Sequence, residues 1–298
     1  MKSQAFLAIL TPTYNRASTL PRLYSSLIKQ SCKDFIWVIV DDGSIDGTEG
    51  LIQKYLQENL LDIIYLKKEN GGKHTALNLG IKHITNELTF IVDSDDYLTN
   101  DAVQTIKEEW NTYRKRKDIS GICFLKGVNE KKYIGDKFYA ETICSYIEMR
   151  LKNKVKGDKA EIFRTELLKS KPFPEIKNEK FIGEDYVWCD LGKKYSMVWK
   201  NKIIYICEYL EGGLSKSGRT LRINCPVGGM LNSSMMLTKE FPLFFRIKKA
   251  ILYNCYYLFA DRDNRRIGYT DNAVLLRTVT FPIGWMLHLL WKKKYLRN

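Results

Sequence analysis

Leu88-Thr89-Phe90-Ile91-Val92-Asp93-Ser94-Asp95-Asp96 is an apolar run that ends abruptly in carboxylates. Three earlier stretches have the same form. Residues 5–10 precede Thr11-Pro12-Thr13-Tyr14-Asn15, residues 35–40 precede Asp41-Asp42-Gly43-Ser44, and residues 63–66 precede Glu69-Asn70-Gly71-Gly72-Lys73. Short apolar runs bounded by turn residues read as strands. Segments of helical length lie between them, at 16–30, 48–59 and 74–84. Strands alternating with helices build β-α-β units, so the pattern predicts an α/β fold with a mainly parallel, Rossmann-like sheet covered on both faces. Ligands of such sheets bind beyond the carboxyl ends of the strands. All four polar turns fall there.

Asp93 and Asp95, one residue apart at a strand end, can converge on one hard cation. Oxygen ligands of this kind suit Mg²⁺ or Mn²⁺ when phosphate oxygens complete the shell. A polar turn leading into the next helix would use the same residues, but the second acidic pair, Asp41-Asp42, at a parallel strand end favours the metal. Neither G-x-G-x-x-G after the first strand nor G-x-x-x-x-G-K-[ST] occurs, which removes the two glycine cradles for nucleotide phosphate. A diphosphate would then depend on a metal and on basic side chains such as Lys73.

Thr-Pro-Thr-Tyr-Asn-Arg at 11–16, Val-Asp-Asp-Gly-Ser at 40–44, Asn-Gly-Gly-Lys at 70–73, Asp-Ser-Asp-Asp at 93–96 and Glu-Asp at 184–185, in that order, resemble glycosyltransferase family 2. The resemblance is strong over residues 6–110, patchier to about 214, and carried by no motif beyond. It implies a glycosyltransferase-A fold, a nucleotide-sugar donor and inversion at the anomeric carbon. It sets Thr11, Pro12 and Tyr14 beside the nucleoside, with Asp41 or Asp42 accepting from the base ring, and brings Asn70 toward ribose and diphosphate. Ser94 accompanies Asp93 and Asp95 in the metal and donor motif. Asp185 matches the family's general base, with Glu184 as fallback or acceptor-orienting group. The family's loop often continues Ala-Arg-Asn, whereas this chain reads Ala76-Leu77-Asn78; Lys73 is the substitute. Lys216 and Arg219, in a Gly/Ser-containing stretch, could close over the diphosphate or belong to a linker. Residues 157–161 could expose charge on the acceptor side. A nucleotidyltransferase shares the sheet and the carboxylates but needs a Gly-rich basic triphosphate loop after the first strand, which is absent. A non-catalytic, membrane-bound member of the fold would not need intact acidic motifs.

With 45% hydrophobic and 28% charged residues, the chain is globular rather than disordered. Seven scattered cysteines without a C-x-x-C pair fit reduced thiols. The N-terminus carries no secretory signal pattern. The net charge is +14, and residues 241–298 alone hold 11 Lys and Arg against three Asp. Apolar residues recur there at helical spacing (Phe244, Ile247, Ile251, Cys255 and Leu258, then Leu276, Val279, Ile283, Leu287 and Leu290), flanked by Lys, Arg, Trp285 and Trp291. Such helices can lie in a membrane surface or pack on the catalytic domain. Spanning is not expected, because Arg277 interrupts the apolar run and Pro282 with Gly284 would break or kink a central helix. The absence of a recognised module argues against nucleic acid.

The expected organisation is therefore a catalytic domain over 1–225, with a nucleotide-sugar half (1–100) and an acceptor half (101–225), followed by a helical basic extension over 226–298. The expected protein is cytoplasmic and peripheral on the inner face of the cell membrane. It would move a sugar, from a UDP-linked donor, to a saccharide acceptor in capsule, exopolysaccharide or cell-wall synthesis. The membrane-leaning tail suggests that this acceptor is lipid-linked.

Overall fold

The computed structural model describes residues 5–207 and 214–296, with side chains at all of these except 214–217. The chain forms two compact units, Met1–Pro172 with Lys194–Tyr209, and Phe173–Lys193 with Leu210–Asn298.

The first unit opens with the anticipated alternation: β1 (Leu7–Thr13), α1 (Leu20–Ile28), β2 (Phe35–Asp41), α2 (Thr48–Glu58), β3 (Ile63–Lys67), α3 (Lys73–His83) and β4 (Leu88–Ile91). It continues with β5 (Tyr97–Leu98), α4 (Ala102–Tyr113), β6 (Ile119–Asn129), β7 (Lys132–Tyr133), β8 (Thr142–Ser145), β9 (Lys159–Arg164), α5 (Thr165–Ser170) and β10 (Ser196–Ile206). The sheet order is β3-β2-β1-β4-β9-β6-β10-β5. Strands β3, β2, β1 and β4 are mutually parallel, β9 runs against both β4 and β6, and β6 and β10 are parallel again. Every residue of β1 is buried, as expected for a central strand covered on both faces. Pro12 is tolerated there because β1 pairs with β4 only as far as Leu10↔Ile91, so its missing N–H falls past the last ladder bond on that side. The core gathers Trp37, Tyr24 and Tyr55, the two tyrosine rings stacked with centroids 3.7 Å apart.

The second unit is helical: α6 (Asp185–Leu191), α7 (Leu214–Ile223), α8 (Pro226–Met235), α9 (Leu243–Phe259), α10 (Arg262–Ile267) and α11 (Val274–Tyr295). Glu179 accepts from the first free amides of α8, Val227 N and Gly228 N, at 2.7 Å each, placing an anion at the positive helix end. Gly229 lies flat under the Tyr256 ring, where an added Cβ would come within 2.6 Å. These contacts lie within the second compact unit. The segment Phe173–Lys193, assigned from sequence to the catalytic domain, packs with the C-terminal helices instead. Helix α11 is continuous through Pro282 and Gly284, so of the expected break or kink there is no break. Thr280 Oγ1 donates to Leu276 O at 2.8 Å and Asn254 Nδ2 donates to Arg277 O at 2.8 Å, so side chains occupy the carbonyls of the turn before the proline. Gly284 lets α11 approach Asn254 and the Ile251 carbonyl of α9. All seven cysteines are free thiols.

Candidate active site

The carboxyl ends of β1, β2 and β3 carry three loops that are stitched to one another. Asn15 N donates to Ser44 Oγ and Ile45 N donates to Asn15 Oδ1, both at 2.9 Å. Arg16 N donates to Thr48 Oγ1 at 3.0 Å. Asn15 adopts φ +52° to make these bonds, a conformation Asn tolerates better than most residues. Asp41 is fully buried; its carboxylate accepts from Ser44 N at 2.8 Å and from the Tyr65 hydroxyl at 3.1 Å. Asp42 organises the third loop, accepting from Gly71 N at 3.0 Å, Gly72 N at 2.7 Å and Lys68 Nζ at 2.9 Å. Asn70 Nδ2 donates to the Asp42 carbonyl at 2.9 Å. Gly43 is required where these loops meet, with φ +82° and room for a Cβ only 2.9 Å from Asn70 N. Asp41 and Asp42, one or the other of which is expected to accept from the base ring, both hold these loops in shape.

Past β4 the charges alternate. Lys73 Nζ lies 2.5 Å from Asp93 Oδ1, and Arg16 lies 3.7 Å from Asp95 Oδ2. Arg22 donates to the Asp95 carbonyl and stands over the Tyr97 ring. Beneath them, Tyr205 donates to Asp96 Oδ2 at 2.7 Å and accepts from Asp93 N at 2.9 Å. Lys126 Nζ sits 3.8 Å above the same ring. Burial alone would raise the Asp93 pKa, but Lys73 and Lys126 outweigh it and hold the carboxyl below its ordinary value. Burial also opposes the Lys126 charge, yet Asp93 keeps that ammonium above its ordinary pKa. Asp96 is pushed up to about 6, by burial and then by Asp93. The two carboxyls are thus pushed in opposite directions by the charges beside them.

Of the expected donor residues, Tyr14, Asn70, Lys73, Asp93 and Asp95 sit on this rim, and Tyr14 is 44% exposed. Thr11 is turned inward instead, its fully buried Oγ1 accepting from Trp37 Nε1 at 3.0 Å. Pro12 and Ser94 are buried. Leu77, standing where an arginine is common, is in the core, which explains why that position offers no charge to an anion. Arg16, Arg22, Lys126 and Tyr205 escaped the sequence reading as site residues. Arg16 closes the first motif, but Lys126 and Tyr205 come from β6 and β10 and carry no local signature. The Lys216 side chain lies outside the described residues. Arg219 stacks over Trp291 at 4.3 Å, a packing role within the second unit. Lys159 is not exposed; its buried ammonium donates to Lys156 O at 2.8 Å and Ile134 O at 3.2 Å.

Asp185 belongs to the second unit. Glu184 takes the cap position of α6 without a side-chain capping bond, and Asp185 stands in the first turn of that helix. Asp185 Oδ1 accepts from Asn232 Nδ2 at 2.9 Å, and Asn232 Oδ1 accepts from Lys249 Nζ at 3.0 Å. Burial holds the Lys249 ammonium below its ordinary pKa, against the pull of Asp185. Gly183 leaves space for this carboxylate; a Cβ there would stand 2.5 Å from Asp185 Oδ1.

Among the described residues no three His, Cys, Asp or Glu converge as a ready-made metal cage. The Asp93 and Asp95 pair still fits a hard divalent ion, because Mg²⁺ commonly takes one or two protein carboxylates and draws its other ligands from phosphate and water.

A sequence profile described as glycosyl transferase family 2 matches residues 8–163. The chain belongs to that family. It is 27% identical over 198 residues to the GalNAc(5)-diNAcBac-PP-undecaprenol beta-1,3-glucosyltransferase of Campylobacter jejuni, covering 64% of this chain and 60% of that protein. It is 28% identical over 172 residues to the poly(ribitol-phosphate) beta-N-acetylglucosaminyltransferase TarS of Staphylococcus aureus, covering 56% of this chain and 29% of TarS. The chain thus aligns with less than two thirds of either relative. The crystal structure of S. aureus TarS 1-349 with UDP-GlcNAc superposes with a TM-score of 0.60 at 21% identity, over 93% of this chain and 79% of that one. Mannosyltransferase PcManGT from Pyrobaculum calidifontis, solved with GDP-Man and Mn²⁺, gives 0.59 at 14% identity, over 98% and 88%. These likenesses show the glycosyltransferase-A fold with its mostly parallel central sheet.

Proposed function

We propose that the protein is an inverting glycosyltransferase that transfers a sugar from a UDP-linked donor to a saccharide acceptor in cell-surface polysaccharide synthesis. The observation that carries this reading is the rim of Asp93 and Asp95 with Lys73 and Arg16, on strand ends that lack any glycine phosphate cradle. Curated relatives named for glucosyl and N-acetylglucosaminyl transfer, and a neighbour solved with UDP-GlcNAc, support it.

Asp93 and Asp95 would hold Mn²⁺ or Mg²⁺, which when bound supplies positive charge against the leaving diphosphate. Lys73 and Arg16 add fixed cations on the same rim, and Tyr205 holds the Asp93 backbone through its amide. Tyr14, exposed beside the first loop, offers a ring face to the nucleoside, and Asn70 offers its side chain to the ribose. Asp185 takes the proton of the acceptor hydroxyl, oriented by the amide of Asn232. Glu184, one residue earlier, orients the acceptor. The apolar and basic C-terminal helices favour a peripheral site on the inner face of the cell membrane, and so a lipid-linked acceptor.

Thermal shift with Mn²⁺ and a panel of nucleotide sugars tests the donor assignment, since a ligand that binds only the folded state raises Tm by mass action. Stabilisation by UDP-sugars and not by GDP-sugars is expected. Stabilisation by none of the panel would overturn the reading.

A further inference from the structure

Helices α9 and α11, with the turn that carries Tyr269, enclose a pocket of about 450 Å³ lined by Tyr253, Tyr257, Tyr269, Arg277 and Phe281. That volume suits a small headgroup. The Arg277 guanidinium lies 4.9 Å from the Tyr253 ring centre and 5.5 Å from that of Tyr269. Its Nε is buried without a hydrogen-bond partner. Among the described residues no carboxylate forms an ion pair with it. A guanidinium gripped by two aromatic faces and lacking a counter-ion is a prepared contact for an anion that offers a pair of oxygens, as a phosphate does. The pocket is preformed, because Asn254 fixes α9 to α11 through Arg277 O and Thr280 Oγ1.

Its surroundings select the kind of anion. Leu275, Val279, Met286 and Leu290 recur at spacings of four, seven and four, so they share one face of α11. Leu275 is 79% exposed and Val279 67%. The buried residues Thr280, Gly284 and Trp291 lie on the opposite face. Val274, Thr278 and Phe281 form the pocket's edge beside this stripe and are exposed. Lys292, Lys293 and Lys294 follow at the helix end. An anionic group joined to hydrocarbon matches both parts at once; a free phosphate would leave the stripe uncovered.

We propose that this pocket binds the phosphate headgroup of an anionic membrane lipid, with Arg277 as its charged contact and the α11 stripe in the acyl layer. The assignment rests on the membrane-surface reading above.

The test uses the full chain, Arg277→Gln, Arg277→Lys and the surface control Lys293→Gln. Co-sedimentation compares phosphatidylcholine vesicles with and without phosphatidylglycerol. Wild type should prefer the anionic vesicles. Arg277→Gln should lose more than about tenfold of that preference, against about fivefold for one ordinary surface lysine, while binding to phosphatidylcholine stays unchanged. Arg277→Lys, which keeps the charge and loses the fork, should fall between and guards against misfolding. Monomeric short-chain phosphatidylglycerol should raise the Tm of wild type and not of Arg277→Gln. Equal losses for Arg277→Gln and Lys293→Gln would overturn the pocket but not the membrane reading. Inorganic phosphate matching the short-chain lipid in Tm shift would overturn the lipid assignment. Failure of wild type to bind either vesicle would overturn both.

Discussion

Among the described residues Arg16 alone forms an ion pair with the Asp95 carboxylate, at 3.7 Å, a separation loose enough for a divalent ion to compete. Asp95→Ala should therefore abolish metal-dependent UDP binding and lower turnover by at least about 10²-fold, the scale of removing one electrostatic stabiliser. Unfolding should hardly change, because the group is on the rim. Full activity of wild type in excess EDTA would refute the metal role. Asp185 makes a different kind of claim. If it is the base, Asp185→Asn lowers turnover by roughly 10²–10⁴-fold and leaves donor affinity in place. Near-normal turnover in Asp185→Asn together with loss in Glu184→Gln would transfer the role to Glu184. Lys249 donates to Asn232, which in turn donates to Asp185, so on that assignment both would act by orienting the base. Asn232→Ala should lower kcat with little change in donor KM, and Asn232→Asp should not restore it, since a second carboxylate cannot donate to the first.

At the scale of elements, the first four strands and their turns were legible because each is decided within a few residues. Residues 35–40 were read as a strand and β2 spans Phe35–Asp41; residues 63–66 became Ile63–Lys67. Asp93 and Asp95 were legible as a pair for the same reason. Tyr205 and Lys126 were not, because their place beneath Asp93 depends on β6 and β10 entering the sheet beyond an antiparallel β9, and strand order leaves no mark in local periodicity. The grouping of Phe173–Lys193 with α8 left no local mark either, since what joins them is a long-range contact such as Glu179 to Val227. Pro282 misled through propensity, which the tertiary bonds from Asn254 to Arg277 O and Thr280 Oγ1 override. Gly284 tests that packing. A Cβ there would stand 2.5 Å from Asn254 Cβ and 3.0 Å from Ile251 O. Gly284→Ala should destabilise the second unit by about 1–3 kcal/mol, the usual cost of overpacking, measured by urea unfolding. An unchanged midpoint would mean that α11 does not need this close approach.

Across the whole molecule, charge and exposed apolar surface concentrate in the same helices. Residues 241–298 carry a net +8, leaving +6 for everything before them, and Phe244 at the start of α9 is 82% exposed. Helix α11 is long and apolar enough to cross a membrane by length and composition. Its packing argues for lying in the surface instead. One face is held against α9 at Gly284 and at Trp291, whose ring is 5.8 Å from that of Tyr256, and α9 carries Arg246, Lys248 and Lys249, which a bilayer centre would oppose. Removing everything after residue 240 would be a poor test, because it deletes Lys249 and Tyr256 and with them the support of Asp185 and α8. Exchanging Leu275, Val279, Met286 and Leu290 together for Gln leaves those contacts alone. Each side chain contributes up to roughly 1.5–3 kcal/mol on full burial in an acyl layer, so vesicle binding should fall by at least about 10²-fold. Donor-induced stabilisation should be unchanged, since the donor rim lies wholly in the first unit. Wild-type binding should weaken in high salt without vanishing, because salt screens the lysines and leaves apolar burial in place. It should also be released at alkaline pH, which a spanning helix would resist. Resistance to alkaline extraction would show that α11 crosses the bilayer, and undiminished binding by the four-residue variant would return the stripe to a role unrelated to lipid.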